Sequence, residues 1–294
     1  NDPSNPPTGT ASDIASANDT GPVSIITEEP TCDAVININR SVAGVEANGW
    51  GEQRKALGPA SEWTPQQRQQ VEAVATAIRN ASDQMVSLAK QTPHRVVREL
   101  YEQYIAYGRA YADSIASYVP ANNYLADANV SIGNVLLGVC NAIEFGSANR
   151  TVALPAASSP TELAEVGDPA SPERFLETSN PTCSAWVERE RSFIADTAEW
   201  EKIDPEIPAS QWSPEQRSIQ DSAFITFTAL ADASEEAGRD SSNPVLEDFA
   251  VLAAQYMRAY VASGQNYIAA DSWLSYTSLR LSNAISGACQ AAET

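Results

Sequence analysis

A chain of 294 residues with 38 acidic and 18 basic side chains carries a formal charge of −20 and has room for two hydrophobic cores of ordinary size. Such a charge repels phosphate backbones and anionic lipid surfaces, so neither nucleic acid nor an anionic membrane surface is an expected partner. No apolar run approaches the roughly eighteen residues that span a bilayer, and the opening residue is Asn1, as expected of a processed or excised soluble piece from which any signal peptide or anchor has been removed.

In chain order, residues 1–29 are rich in Asn, Asp, Pro, Ser, Thr and Gly and read as a disordered acidic and polar tail. Residues 30–145 form a first unit and residues 181–292 a second, because the second repeats the first. Pro59-Ala60-Ser61-Glu62-Trp63-Thr64-Pro65-Gln66-Gln67-Arg68 returns as Pro208-Ala209-Ser210-Gln211-Trp212-Ser213-Pro214-Glu215-Gln216-Arg217, an offset of 149. The register holds to Asn134, Gly138 and Cys140 against Asn283, Gly287 and Cys289. Upstream, Pro30-Thr31-Cys32 matches Pro181-Thr182-Cys183 at an offset of 151. Between the units, residues 146–180 hold Pro155, Pro160, Pro169 and Pro172 among small polar residues and read as a Pro-rich linker.

Each unit reads as all-α. Val71, Val74, Ile78, Met85 and Leu88 in the first, and Phe227 and Leu230 in the second, recur at helical spacing, and two-residue alternation is nowhere sustained. Thr64 or Ser213 as N-cap, proline at the first helical position and Gln67 or Gln216 three residues on predict the start of a second helix. Pro93 and Asn243-Pro244 open a third, and Pro120 or the Ala270-Asp271 region precedes a fourth. The expectation is two tandem homologous four-helix bundles. In an up-and-down bundle the first and last helices end together, which pairs Cys32 with Cys140 and Cys183 with Cys289. Closing a loop of about 110 residues contributes at most roughly 4–5 kcal/mol in the chain-entropy model. Four widely spaced cysteines lack the short spacings of a zinc or iron–sulfur site, and disulfides imply an oxidising compartment.

Residues kept in both copies serve first what both copies share, which is folding. Trp63 with Arg68, and Trp212 with Arg217, are expected to stack indole on guanidinium. A tyrosine stripe on the third helix supplies the candidate ligand groove: Tyr107, Arg109 and Tyr111 in the first copy, Tyr256, Arg258 and Tyr260 in the second. Packing of those rings between helices, with hydroxyls sent to solvent or to buried carboxylates such as Asp83 and Asp232, is the favoured alternative. The turn between the second and third helices instead diverges in charge. Lys90, His94, Arg95 and Arg98 stand where the second copy has Glu235, Glu236, Glu247 and Asp248, which marks either two opposed patches able to join the units, chain molecules or bind partners, or plain solvated turns.

Catalysis is not expected. The single histidine, His94, lies in a charged turn, and adjacent acids such as Glu235 and Glu236 point about 100 degrees apart on a helix. No metal motif, calcium loop or phosphate cradle is present, so no cofactor is expected. Sequons at Asn18, Asn80, Asn129 and Asn149 license no claim of glycosylation. The reading is a non-catalytic extracytoplasmic binding module, in its fullest form the outer part of a membrane-anchored envelope protein, with an envelope protein as partner. The rival is a carrier or sensor of a small amphipathic, lipid-like ligand in a Tyr- and Trp-lined groove.

Overall fold

The four cysteines pair as Cys32–Cys140 and Cys183–Cys289, with Cα atoms 5.4 and 5.3 Å apart, one bridge in each copy. A computed structural model describes residues 13–47, 49–150 and 154–294, and these form two helical lobes. The first holds α1 (Cys32–Val45), α2 (Trp50–Lys55), α3 (Pro65–Gln91), α4 (Arg95–Ser114), α5 (Asn123–Glu144) and α6 (Ser147–Arg150). The second holds α7 (Cys183–Asp196), α8 (Pro214–Asp240), α9 (Pro244–Ser263) and α10 (Ser272–Ala292).

Local chemistry starts the long helices where the sequence places them. Thr64 Oγ1 accepts from the Gln67 amide at 3.2 Å while the Gln67 side chain accepts from the Thr64 amide at 3.0 Å, and Ser213 and Gln216 repeat the exchange at 3.1 and 2.9 Å. Just upstream, Arg68 lies over Trp63, 5.5 Å from the ring centroid, and Arg217 over Trp212 at 5.8 Å. Each arginine also donates to a carbonyl in the turn before its helix, Ala60 or Ala209. Thr64→Ala is expected to cost about 1 kcal/mol in urea unfolding, and Ser213→Ala the same, since each removes one reciprocal cap.

Two separate four-helix bundles are not what forms. Short α2 and α6 supplement the first lobe, and the most extensive helix pairing in the molecule joins α5 of one lobe to α10 of the other. Small residues allow that approach. Gly138 sits against the Thr277 side chain, and a Cβ on Gly287 would lie 2.8 Å from the Ala128 nitrogen and 3.1 Å from its Cα. At the 149-residue offset Thr277 is the counterpart of Ala128 and Gly287 of Gly138, so one contact is made twice about a near-twofold axis.

The expected tail and linker also differ from their sequence reading. Residues 1–12 and 151–153 lie outside the described residues. From residue 13 on, the N-terminal segment is anchored by Ile14, Ser16, Val23 and Ile26, all buried. In the second segment Leu176 is buried, its carbonyl accepting from Tyr107 at 3.3 Å, and Gln103 holds the Glu173 carbonyl and Phe175 amide. The two segments end alike: Thr31 bonds to Glu29, which accepts from Thr92, and Thr182 bonds to Asn180, which donates to the Ser241 carbonyl. Thr92 and Ser241 are again 149 apart, so each repeat includes a strap ahead of its first cysteine. Sparse apolar anchors in polar sequence have the composition of a linker even where every anchor is used.

Candidate functional site

The tyrosine stripe is core. Tyr107, Tyr111, Tyr256 and Tyr260 are all 2 % exposed or less. Burial pushes their phenols well above the ordinary value of 10.0. Tyr107 donates to the Leu176 carbonyl of the second strap, and the Tyr256 hydroxyl is buried without a hydrogen-bond partner among the described residues. Tyr260 accepts from the Trp200 indole N–H at 2.8 Å and lies 3.1 Å from Gln220 Oε1. The carboxylates expected beneath these rings are elsewhere: Asp83 and Asp232 are exposed and pair with Arg109 and Arg258 at 2.7 and 2.8 Å. Arg109 also donates to the Ala170 carbonyl, and Arg258 bonds to Glu235 at 2.5 Å.

The oppositely charged turns divide. Lys90 and Glu236 are exposed, and His94 and Glu235 are half-buried, with a His94 ring nitrogen 2.8 Å from the Glu28 carbonyl. Arg95, Arg98, Glu247 and Asp248 are buried within the chain, which takes them out of any surface patch. Arg95 grips Asp248 of the other lobe with Nε at 2.6 Å and Nη2 at 3.2 Å, and its amide and Nη1 bond to Asp19 of the first strap. Arg98 pairs with Glu102 at 2.9 Å and donates to Ser16 Oγ at 3.1 Å. Glu247 takes Arg239 at 2.9 Å and both the amide and the hydroxyl of Thr161 on the second strap.

Beside this cluster sits Glu99, 1 % exposed and the repeat counterpart of Asp248, which it meets across the axis. Among the described residues neither of its oxygens has a hydrogen-bond partner, the nearest Arg98 nitrogen being 3.6 Å away. Burial and the facing Asp248 charge raise its carboxyl well above the ordinary 4.5, against the pull of Arg98 and Arg95.

A second arrangement, missed in the sequence, lies in the second lobe alone. A cavity of about 230 Å³ opens between α7, α8 and α10, floored by Trp186, Phe193, Leu230 and Leu279. It adjoins a groove of about 460 Å³ along the start of α10, with Trp200, Glu201, Tyr276 and Leu279 shared by both and Trp273, Tyr260 and Tyr267 further along. Arg189 and Arg280 line the cavity, and neither makes an ion pair among the described residues. Burial lowers the Arg189 pKa, opposed by the Glu236 charge, and its Nη1 is buried without a hydrogen-bond partner. Arg280 lies over the Tyr276 ring, 4.9 Å from its centroid. Ser234, 1 % exposed, has an unpartnered hydroxyl on the same wall. The acids here are engaged or peripheral. Glu190 bonds to Ser286 and receives the Asn283 amide, and burial raises its carboxyl; Glu201 is exposed at the rim. Charge divergence between the copies at positions 189 and 280 was the signal in the sequence.

No group of three or more His, Cys, Asp or Glu side chains suited to a metal ion occurs among the described residues, and no helix there is long and apolar enough to cross a membrane. No solved structure matches the chain. An uncharacterized protein of Mycolicibacterium smegmatis (strain MKD8) is 45 % identical over 284 residues, covering 96 % of this chain and 75 % of the relative. Residues 14–293, strap, lobes and both disulfides together, match the family described as Mycobacterial ESX-1 associated protein, and the chain belongs to that family.

Proposed function

We propose that the chain is a non-catalytic interaction module that works outside the cytoplasm, at the cell envelope, in association with the ESX-1 secretion apparatus. The family match over residues 14–293 carries this reading. Two disulfides support the compartment, because such bonds persist where thiols are not kept reduced. A formal charge of −20 suits a protein that stays soluble beside an anionic surface without adhering to it. The partner is an envelope protein, and of the oppositely charged turns Lys90 and Glu236 are the side chains left exposed to it.

The test is a mycobacterial strain lacking this chain, scored for ESX-1 secretion, with the chain's thiols mapped by alkylation in intact cells. Secretion lost on deletion and restored by the disulfide-bonded chain supports the reading. Unchanged secretion, or alkylatable thiols at Cys32, Cys140, Cys183 and Cys289, removes it.

A further inference from the structure

The two copies share a register, so each wall of the second-lobe cavity can be compared with what fills the same place in the first. At the offset of 151 that holds near the first cysteine, Arg189 of α7 corresponds to Ile38 of α1. At the offset of 149, Ser234 of α8 corresponds to Met85 of α3, and Arg280 of α10 to Ser131 of α5. Met85 is 0 % exposed and Ile38 is buried, so in the first lobe two of these positions hold apolar core side chains and the third a buried serine. The second lobe has lost a long side chain from the wall and gained two arginines.

Stability alone does not favour that exchange. A buried guanidinium nitrogen and a buried hydroxyl without partners both cost free energy, and a void forfeits the dispersion contacts that Met85 makes. Acids outnumber bases by 16 to 7 between residues 183 and 292, yet these two arginines stand free of ion pairs among the described residues. An apolar lining of Trp186, Trp200, Phe193 and leucines beside two unpaired cations, with an open groove leading away from them, is complementary to one class of molecule.

We propose that this cavity is a binding site for a small amphipathic anion, an acidic head group on an unbranched apolar chain, with the head on Arg189, Arg280 and Ser234 and the chain along Trp186, Phe193 and Trp200 into the adjoining groove. The site stands on residues of the second lobe and is independent of the secretion-linked reading. Its head group is a carboxylate or a phosphate monoester, which share charge and acceptor geometry. The first lobe, with Ile38, Met85 and Ser131 in the same positions, has no such site.

The test is titration of the full disulfide-bonded chain with decanoate, decyl phosphate, decanol and decyltrimethylammonium below their micelle concentrations, followed by tryptophan fluorescence and thermal midpoint. Trp186 and Trp200 line the cavity and serve as reporters. At least one of the two anions should bind saturably and raise the midpoint, and whichever binds more tightly identifies the head group. Decanol should bind at least about tenfold more weakly, and the cation not at all. Arg189→Ile, Arg280→Ser and Ser234→Met each install the first copy's residue. Each should weaken the anion about tenfold or more while the helical circular dichroism is retained. Absence of saturable binding by both anions, equal binding of decanol, or native affinity in folded Arg189→Ile and Ser234→Met chains would overturn the proposal.

Discussion

Gly287→Val is expected to lower stability by at least about 3 kcal/mol, read as a reduced urea midpoint with an unchanged slope. The side chain would be driven into the Ala128 backbone, 2.8 Å from the nitrogen, and α5 can retreat only by opening the whole α5–α10 seam. The sign of the smaller change is the sharper test. In an unobstructed helix, glycine to alanine gains up to about 1 kcal/mol, because alanine loses less backbone entropy on folding. Gly44 in α1 has no atom within 4 Å of an added Cβ, so Gly44→Ala should follow that rule. Gly287→Ala should instead lose about 1–3 kcal/mol through overpacking. A Gly287→Ala chain as stable as the native one would mean that the helices do not cross so closely.

Arg95→Met should cost about 3–5 kcal/mol, because it strands the Asp248 carboxylate in a buried site that already holds a second carboxyl group, Glu99. Adding Asp248→Asn should recover most of the loss, a coupling that a purely steric role for Arg95 would not produce. Glu99 adds a pH dependence of definite sign. Its folded pKa lies above the ordinary 4.5 through burial and the facing Asp248 charge, so the unfolded chain releases this proton first as pH rises. Stability from the protonated form is complete below about 4.5 and declines as pH climbs from there toward the raised folded value. Glu99→Gln keeps a donor toward Asp248 and cannot ionise. The difference between native and Glu99→Gln stability curves should therefore widen with pH above that point in favour of the glutamine chain. Parallel curves would show that Glu99 does not hold its proton in the folded state.

The disulfides, the caps and the helical class were legible because each is covalent or local: Thr64 and Gln67 act within one turn, and Cys32 and Cys140 bracket a repeat that is plain in the sequence. What escaped depends on long-range company. Arg95 and Asp248 read as parts of opposed surface patches, and only the docking of α4 on α9 turns them into a buried pair. The straps escaped because Val23, Ile26 and Leu176 are too sparse to make a period. Gly138 and Gly287 were visible as retained residues, but their reason lies on a partner helix remote in sequence. The cavity could be approached from the register, where Met85 stands against Ser234 and Ile38 against Arg189; that contrast has meaning only once α7 and α8 are known to bound a space.

The seam in which Gly138 meets Thr277 and Gly287 meets Ala128 uses the same surface of each half, which is the mark of a homodimer made within one polypeptide. Two halves joined in one chain are free to differ in sequence, and Arg189 and Ser234 stand in one where its twin keeps Ile38 and Met85.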